Sequence, residues 1–215
     1  MKMQWILFVA LVAASLGSTA SAATISSTIP PVASGPGLGL VIVPAIVTLN
    51  QNNDNQVGGE ATDNNLVIPL KRFDNNDYID IVFTINSSDG TTEYKVTEFV
   101  DNNTGSPWSS YKMQLGSGVG QLFVAATSGG LDFDAPTYDA PPSSAPLSAV
   151  ATSPYELIYS GGIQGTGAVP YTFRIDIPDV GNTFTLRQIP TAIPEPASFA
   201  LVGLVLAAAA FVRRR

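Results

Sequence analysis

The chain has 215 residues, 45% of them hydrophobic, with 17 acidic against 10 basic side chains and neither a cysteine nor a histidine. Its apolar content suffices for one packed domain with accessory segments. The missing residue types exclude disulfides, Ser-His-Asp and Cys-His catalysis, imidazole acid/base chemistry and zinc sites of the His or Cys kind.

The first element is a leader. Met1-Lys2-Met3-Gln4 opens the chain, an apolar run fills residues 5–16, and the small residues Ala20-Ser21-Ala22 follow. A basic start, a short apolar centre and an A-x-A site make residues 1–22 a secretory signal peptide cleaved between Ala22 and Ala23. Small residues after the run, in place of a basic stop, argue against a first transmembrane anchor. Between Ala23 and Val212 six cationic side chains oppose all 17 carboxylates, a net of −11. Such a surface repels phosphate backbones, so nucleic acid is not an expected partner.

Residues 24–40 are rich in Ser, Gly and Pro and read as a loose lead-in, while 38–49 offers a strand broken at Pro44. The polar stretch 50–65 has no apolar period and reads as a loop or a wide hairpin tip. Short β-rich runs then follow at 66–73, 79–85, 91–100, 108–115, 121–126, 156–159, 171–177 and 184–189, with turn residues between them. Alternation is complete in Tyr171-Thr172-Phe173-Arg174-Ile175-Asp176-Ile177, which predicts one buried and one wet face. The prolines of 132–154 predict an extended surface loop or a tether. With no helical period in the middle of the chain and no repeat, the expected fold is all-β: a single antiparallel, jelly-roll-like sandwich over residues 23–193.

The candidate chemistry rests on carboxylates and aromatics. Asp74, Asp77 and Asp80 lie close together beside Asn75 and Asn76, a density of oxygen ligands suited to Ca²⁺, although the EF-hand order fails at Tyr78 and Ile79. A solvated turn ahead of the next strand is the plainer reading. Asp132, Asp134 and Asp139 form a second such group. Trp108 with Tyr111 could offer a stacking platform to a sugar, against the plainer reading of core aromatics. Two carboxylates across a cleft would allow glycoside hydrolysis, but the strand-borne Asp80, Glu98 and Asp176 read as the wet faces of their strands. No catalytic residue is expected, and calcium is the one candidate cofactor.

The last element is the most specific. Pro194-Glu195-Pro196 precedes sixteen uncharged residues, 197–212, and then Arg213, Arg214 and Arg215. A helix of that length rises roughly 24 Å, short of a hydrocarbon core of about 30 Å that snorkelling arginines can help it span. The arginines stay on the cytoplasmic side, which places the domain outside. The two prolines keep the approach extended, and Glu195 sits where a helix N-terminus favours an anion. A marginal tail behind a stiff acidic kink suits release, as in GPI-type signals.

This order of Pro-Glu-Pro, short apolar helix and basic end resembles the PEP-CTERM sorting signal of exosortase substrates, over residues 194–215. The segment 104–118, with its Trp-x-x-Tyr and Leu-Gly, is similar to one in some small members. The resemblance implies Sec export in a Gram-negative bacterium, transient membrane insertion, processing by an exosortase near the motif, and a final place at the cell surface or in the exopolysaccharide matrix. The expected function is that of a non-enzymatic surface or matrix protein. The alternatives are a carbohydrate- or calcium-binding module and a carboxylate glycoside hydrolase.

Overall fold

The computed structural model describes residues 22–51, 64–87, 90–134, 141–179 and 181–194. Most of the leader, the apolar segment 197–212, Glu195, Pro196, Asp139 and the three terminal arginines lie outside the described residues. Among those described, no helix is long and apolar enough to cross a membrane.

The chain is all-β. In order come β1 (Thr24–Ile25), β2 (Val32–Ser34), β3 (Leu38–Ile42), β4 (Asn64–Phe73), β5 (Ile79–Asn86), β6 (Thr91–Asn102) and β7 (Trp108–Ser117). After a 3₁₀ turn at Gly120–Leu122 follow β8 (Val124–Ala125), β9 (Ser143–Ser144), β10 (Ala149–Ser153), β11 (Glu156–Ser160), β12 (Gly167–Pro178) and β13 (Thr183–Ala192). One sheet runs β1-β5-β13-β7-β11-β10, with β2 also on β5 and β8 also on β7; the other runs β3-β4-β6-β12-β9.

Alternation decides which side chains meet between the sheets. Ile79, Ile81, Phe83 and Ile85 of β5 are buried on one face, as are Tyr171, Phe173, Ile175 and Ile177 of β12. The inner faces interlock through aromatic rings: Phe73 of β4 meets Trp108 and Tyr111 of β7 edge-on at 5.3 and 5.9 Å, and Tyr171 of β12 meets Tyr159 of β11 at 4.9 Å. Two sheets packed face to face across one apolar core are a β-sandwich.

Two irregularities reset the alternation. The β4–β6 register shifts between Ile68 and Lys71, so Leu66 and Ile68 point inward before the shift, and Lys71 and Phe73 after it. The β13–β7 register shifts beside Ala192, which lets Trp108 and Tyr111, an odd number of residues apart, share the inner face.

Several expectations are corrected. The pairing is antiparallel except between β4 and β6, which run parallel. The lead-in holds β1 and β2, both paired with β5. The expected strand at 121–126 shrinks to the two residues of β8, because the 3₁₀ turn takes the start of that segment. The proline-rich segment 132–154 is no tether in its described part: β9 pairs with β12, β10 pairs with β11, and Asp132 bridges to Asp176.

Candidate functional site

The centre of the core holds a polar group. Glu98 follows Tyr94 and Val96 in phase on β6, Gln188 follows Phe184 and Leu186 on β13, and the β4 bulge turns Lys71 toward both. All three are 0% exposed. Lys71 Nζ donates to Glu98 Oε2 and to Gln188 Oε1. Gln188 Nε2 donates to both oxygens of Glu98 at 2.8 Å, and the Tyr111 hydroxyl donates to Oε1 at 3.3 Å. Burial pushes the Lys71 ammonium below its usual value, against the opposing pull of the Glu98 charge. Burial also raises Tyr111 and Tyr159 well above the usual phenol value, and the Glu98 charge adds to both shifts. Glu98 is therefore not on a wet face: it keeps phase with Val96 and Val100, and its charge is matched inside the core.

A second polar group lies on the outer face of the β3–β9 sheet. Asp176 pairs in register with Glu93, and Asp132 bridges to Asp176 from the far side, setting three carboxylate residues in a row across neighbouring strands. Leu131 and Phe133 of the same segment turn into the core, where the Phe133 ring meets Phe173 at 5.8 Å. Asp176, which the alternation assigned to solvent, is 8% exposed, beside Glu93 at 4% and Asp134 at 1%. Oxygens of these three lie within 4.8 Å of one another, a geometry that could hold a metal ion. The chain already supplies a cation, since Arg174 Nε stands 3.1 Å from Glu93 Oε1.

The calcium set read from sequence is not assembled. The Asp80 carboxylate is buried and taken by Arg187, whose Nε and Nη2 donate to its two oxygens at 2.7 Å each, while Gly120 N–H donates to Oδ2 at 2.8 Å. The same guanidinium lies over the rings of Tyr78 and Phe123 at 4.3 and 4.0 Å. Asp77 Oδ1 accepts the Tyr78 N–H at 2.8 Å and Asp74 Oδ1 accepts from Asn103 Nδ2 at 2.9 Å, both in the exposed turn before β5. Asp74, Asp77 and Asp80 thus serve a turn and an ion pair.

The sugar platform is likewise corrected. Trp108 and Tyr111 are 0% exposed and stack on each other at 5.9 Å, with the indole N–H donating to Asn76 Oδ1 at 2.9 Å. Neither ring has a face for a ligand. The Trp108 N–H instead ties the core to the turn that the calcium reading had singled out. The hollow lined by Ser117 and Thr183 and the one lined by Pro142 and Thr152 have no carboxylate among their lining residues.

At the ends of the described domain, Ala22 and Ala23 are buried, and Ala23 N–H donates to Gly90 O at 3.4 Å. The last strand, β13, delivers the chain to Ile193, whose N–H donates to Pro107 O at 2.8 Å, and so to Pro194. The sorting segment therefore begins directly where the sandwich ends. No curated protein and no solved structure matches the chain. Residues 192–215 match the family model described as the PEP-CTERM protein-sorting motif, so the chain carries the address of an exosortase-sorted, exported protein.

Proposed function

We propose that the chain is a non-enzymatic component of the cell surface or exopolysaccharide matrix. In this reading the Sec machinery exports it, residues 197–212 hold it briefly in the inner membrane with the sandwich outside the cytoplasm, and an exosortase processes it near Pro194-Glu195-Pro196. The observation that carries the reading is the sorting motif over residues 192–215. The core supports it: Lys71 pairs with Glu98, Arg174 with Glu93 and Arg187 with Asp80 inside the domain, which suits a scaffold. The net of −11 between Ala23 and Val212 suits a soluble domain kept off an anionic membrane.

Processing is tested with two variants in the native host. One changes Pro194, Glu195 and Pro196 together to Ala; the other changes Arg213, Arg214 and Arg215 together to Ser. Each is expected to leave most of the protein in the cell fraction at its unprocessed size, while the wild type is trimmed and found outside. Variants trimmed and delivered like the wild type would contradict the reading.

A further inference from the structure

We propose that Lys71 and Gln188 become joined by an intramolecular amide bond that the folded domain makes by itself, with Glu98 as the catalytic proton carrier. The three residues stand as an amine nucleophile, a carboxamide electrophile and a carboxylate touching both, all with 0% exposure. Lys71 Nζ approaches the carboxamide from its Oε1 side, and the amide nitrogen that would depart is held by both Glu98 oxygens at 2.8 Å. The Tyr111 hydroxyl, 3.3 Å from Oε1, fixes the orientation of that carboxylate.

The step balances without an added reagent. Lys71 yields one proton to Glu98, and the neutral amine forms a bond from Nζ to the Gln188 Cδ. A second Nζ proton passes by way of Glu98 to Nε2, the Cδ–Nε2 bond breaks, and the third stays as the new amide N–H. Ammonia departs and takes with it, as ammonium, the proton that Glu98 first received.

A carboxamide is a poor electrophile in water, but a nucleophile held against it by two sheets gains the large effective concentration of an intramolecular reaction. Exclusion of water from the core removes the competing hydrolysis. The lowered pKa of Lys71 increases the share of reactive amine.

The bond would connect β4 of one sheet to β13 of the other, residues 117 apart in sequence. It would restrict the unfolded chain as a disulfide does, in an exported chain that has no cysteine. The inference does not depend on the sorting motif, and its failure would leave that reading untouched.

The experiment is a proteolytic digest of the purified full chain read by tandem mass spectrometry. The expected product is a branched peptide joining Lys71 to Gln188, lighter by one ammonia than its two linear parts together. Recovery of Lys71 and Gln188 only in separate, unmodified peptides from folded wild-type chain, after prolonged incubation near neutral pH, would overturn the proposal. Glu98→Gln is expected to slow formation by about 100-fold; a folded variant that forms the branched peptide at the wild-type rate would overturn the role given to Glu98. Because the wild-type digest decides the main point, a variant that fails to fold does not spare it.

Discussion

Raising the pH above about 10.5 is expected to unfold the sandwich within roughly one to three pH units, far more steeply than for a domain with exposed phenols. Tyr94, Tyr111, Tyr159 and Tyr171 are all 0% exposed, and burial is the leading cause that raises each above the usual value of 10.0. For a group whose folded pKa is raised, the contribution to stability is intact below the unfolded value and is lost as the pH climbs toward the folded one. Each tyrosine then removes about 1.4 kcal/mol per pH unit, and four together roughly 5–6. Lys71 acts in the opposite sense. Its folded pKa is lowered from 10.5, so a free Lys71 adds stability with rising pH between its folded value and 10.5, and nothing above. Urea unfolding at stepped pH, with phenolate absorbance read on the same samples, checks this. Phenols that ionise near their ordinary value while the domain stays folded would refute it.

The second large effect belongs to Arg174→Met, expected to cost about 3–5 kcal/mol. Its guanidinium faces Glu93 at 3.1 Å, with both side chains 3% exposed, and oxygens of Glu93, Asp134 and Asp176 lie within 4.8 Å of one another. Without Arg174 these carboxylates are left buried together with like charge. Against a typical total of about 5–15 kcal/mol, that loss is a large share of the fold. The urea midpoint should fall with little change in slope. Adding Glu93→Gln to the variant should restore part of the loss, because it removes a charge that has lost its partner. A cost under about 1 kcal/mol would mean that the cluster is solvated or already neutral.

The fold was legible where alternation ran unbroken. In β5, β12 and β13 the apolar positions named the inner face directly, and the turn residues between the runs marked most strand ends. Phase also carried more than was read from it: Glu98 falls in step with Val96 and Val100, and Gln188 in step with Leu186, so both were signalled as inward-facing. Their charge and polarity argued for solvent, but the partner that reconciles polarity with burial was hidden. The alternation from Leu66 and Ile68 sends Lys71 outward, and only the register shift before it turns the side chain in. No local pattern announces that shift beyond Pro69 in mid-strand.

The outer cluster failed to show for a different reason. Asp176 and Arg174 do occupy the face that alternation assigns to solvent, yet both are buried, and a distant segment sets Asp132 beside Asp176 at the sheet edge. Trp108 and Tyr111 sit at a spacing that a regular strand divides between two faces, yet the bulge beside Ala192 collects both in the core. Bulges and edge pairings depend on long-range contacts, which a window of a few residues does not contain. The sorting motif is the opposite case, since its order of residues is itself the signal.

The central claim is that this chain is an exported sandwich with a disposable C-terminal address. The most direct test is the C-terminal peptide of the wild-type protein recovered from outside the cells, identified by mass spectrometry. The account predicts a chain that stops near residues 194–197, with no peptide from Phe211 to Arg215 in the external fraction. External protein that retains Arg215 at its end would contradict it.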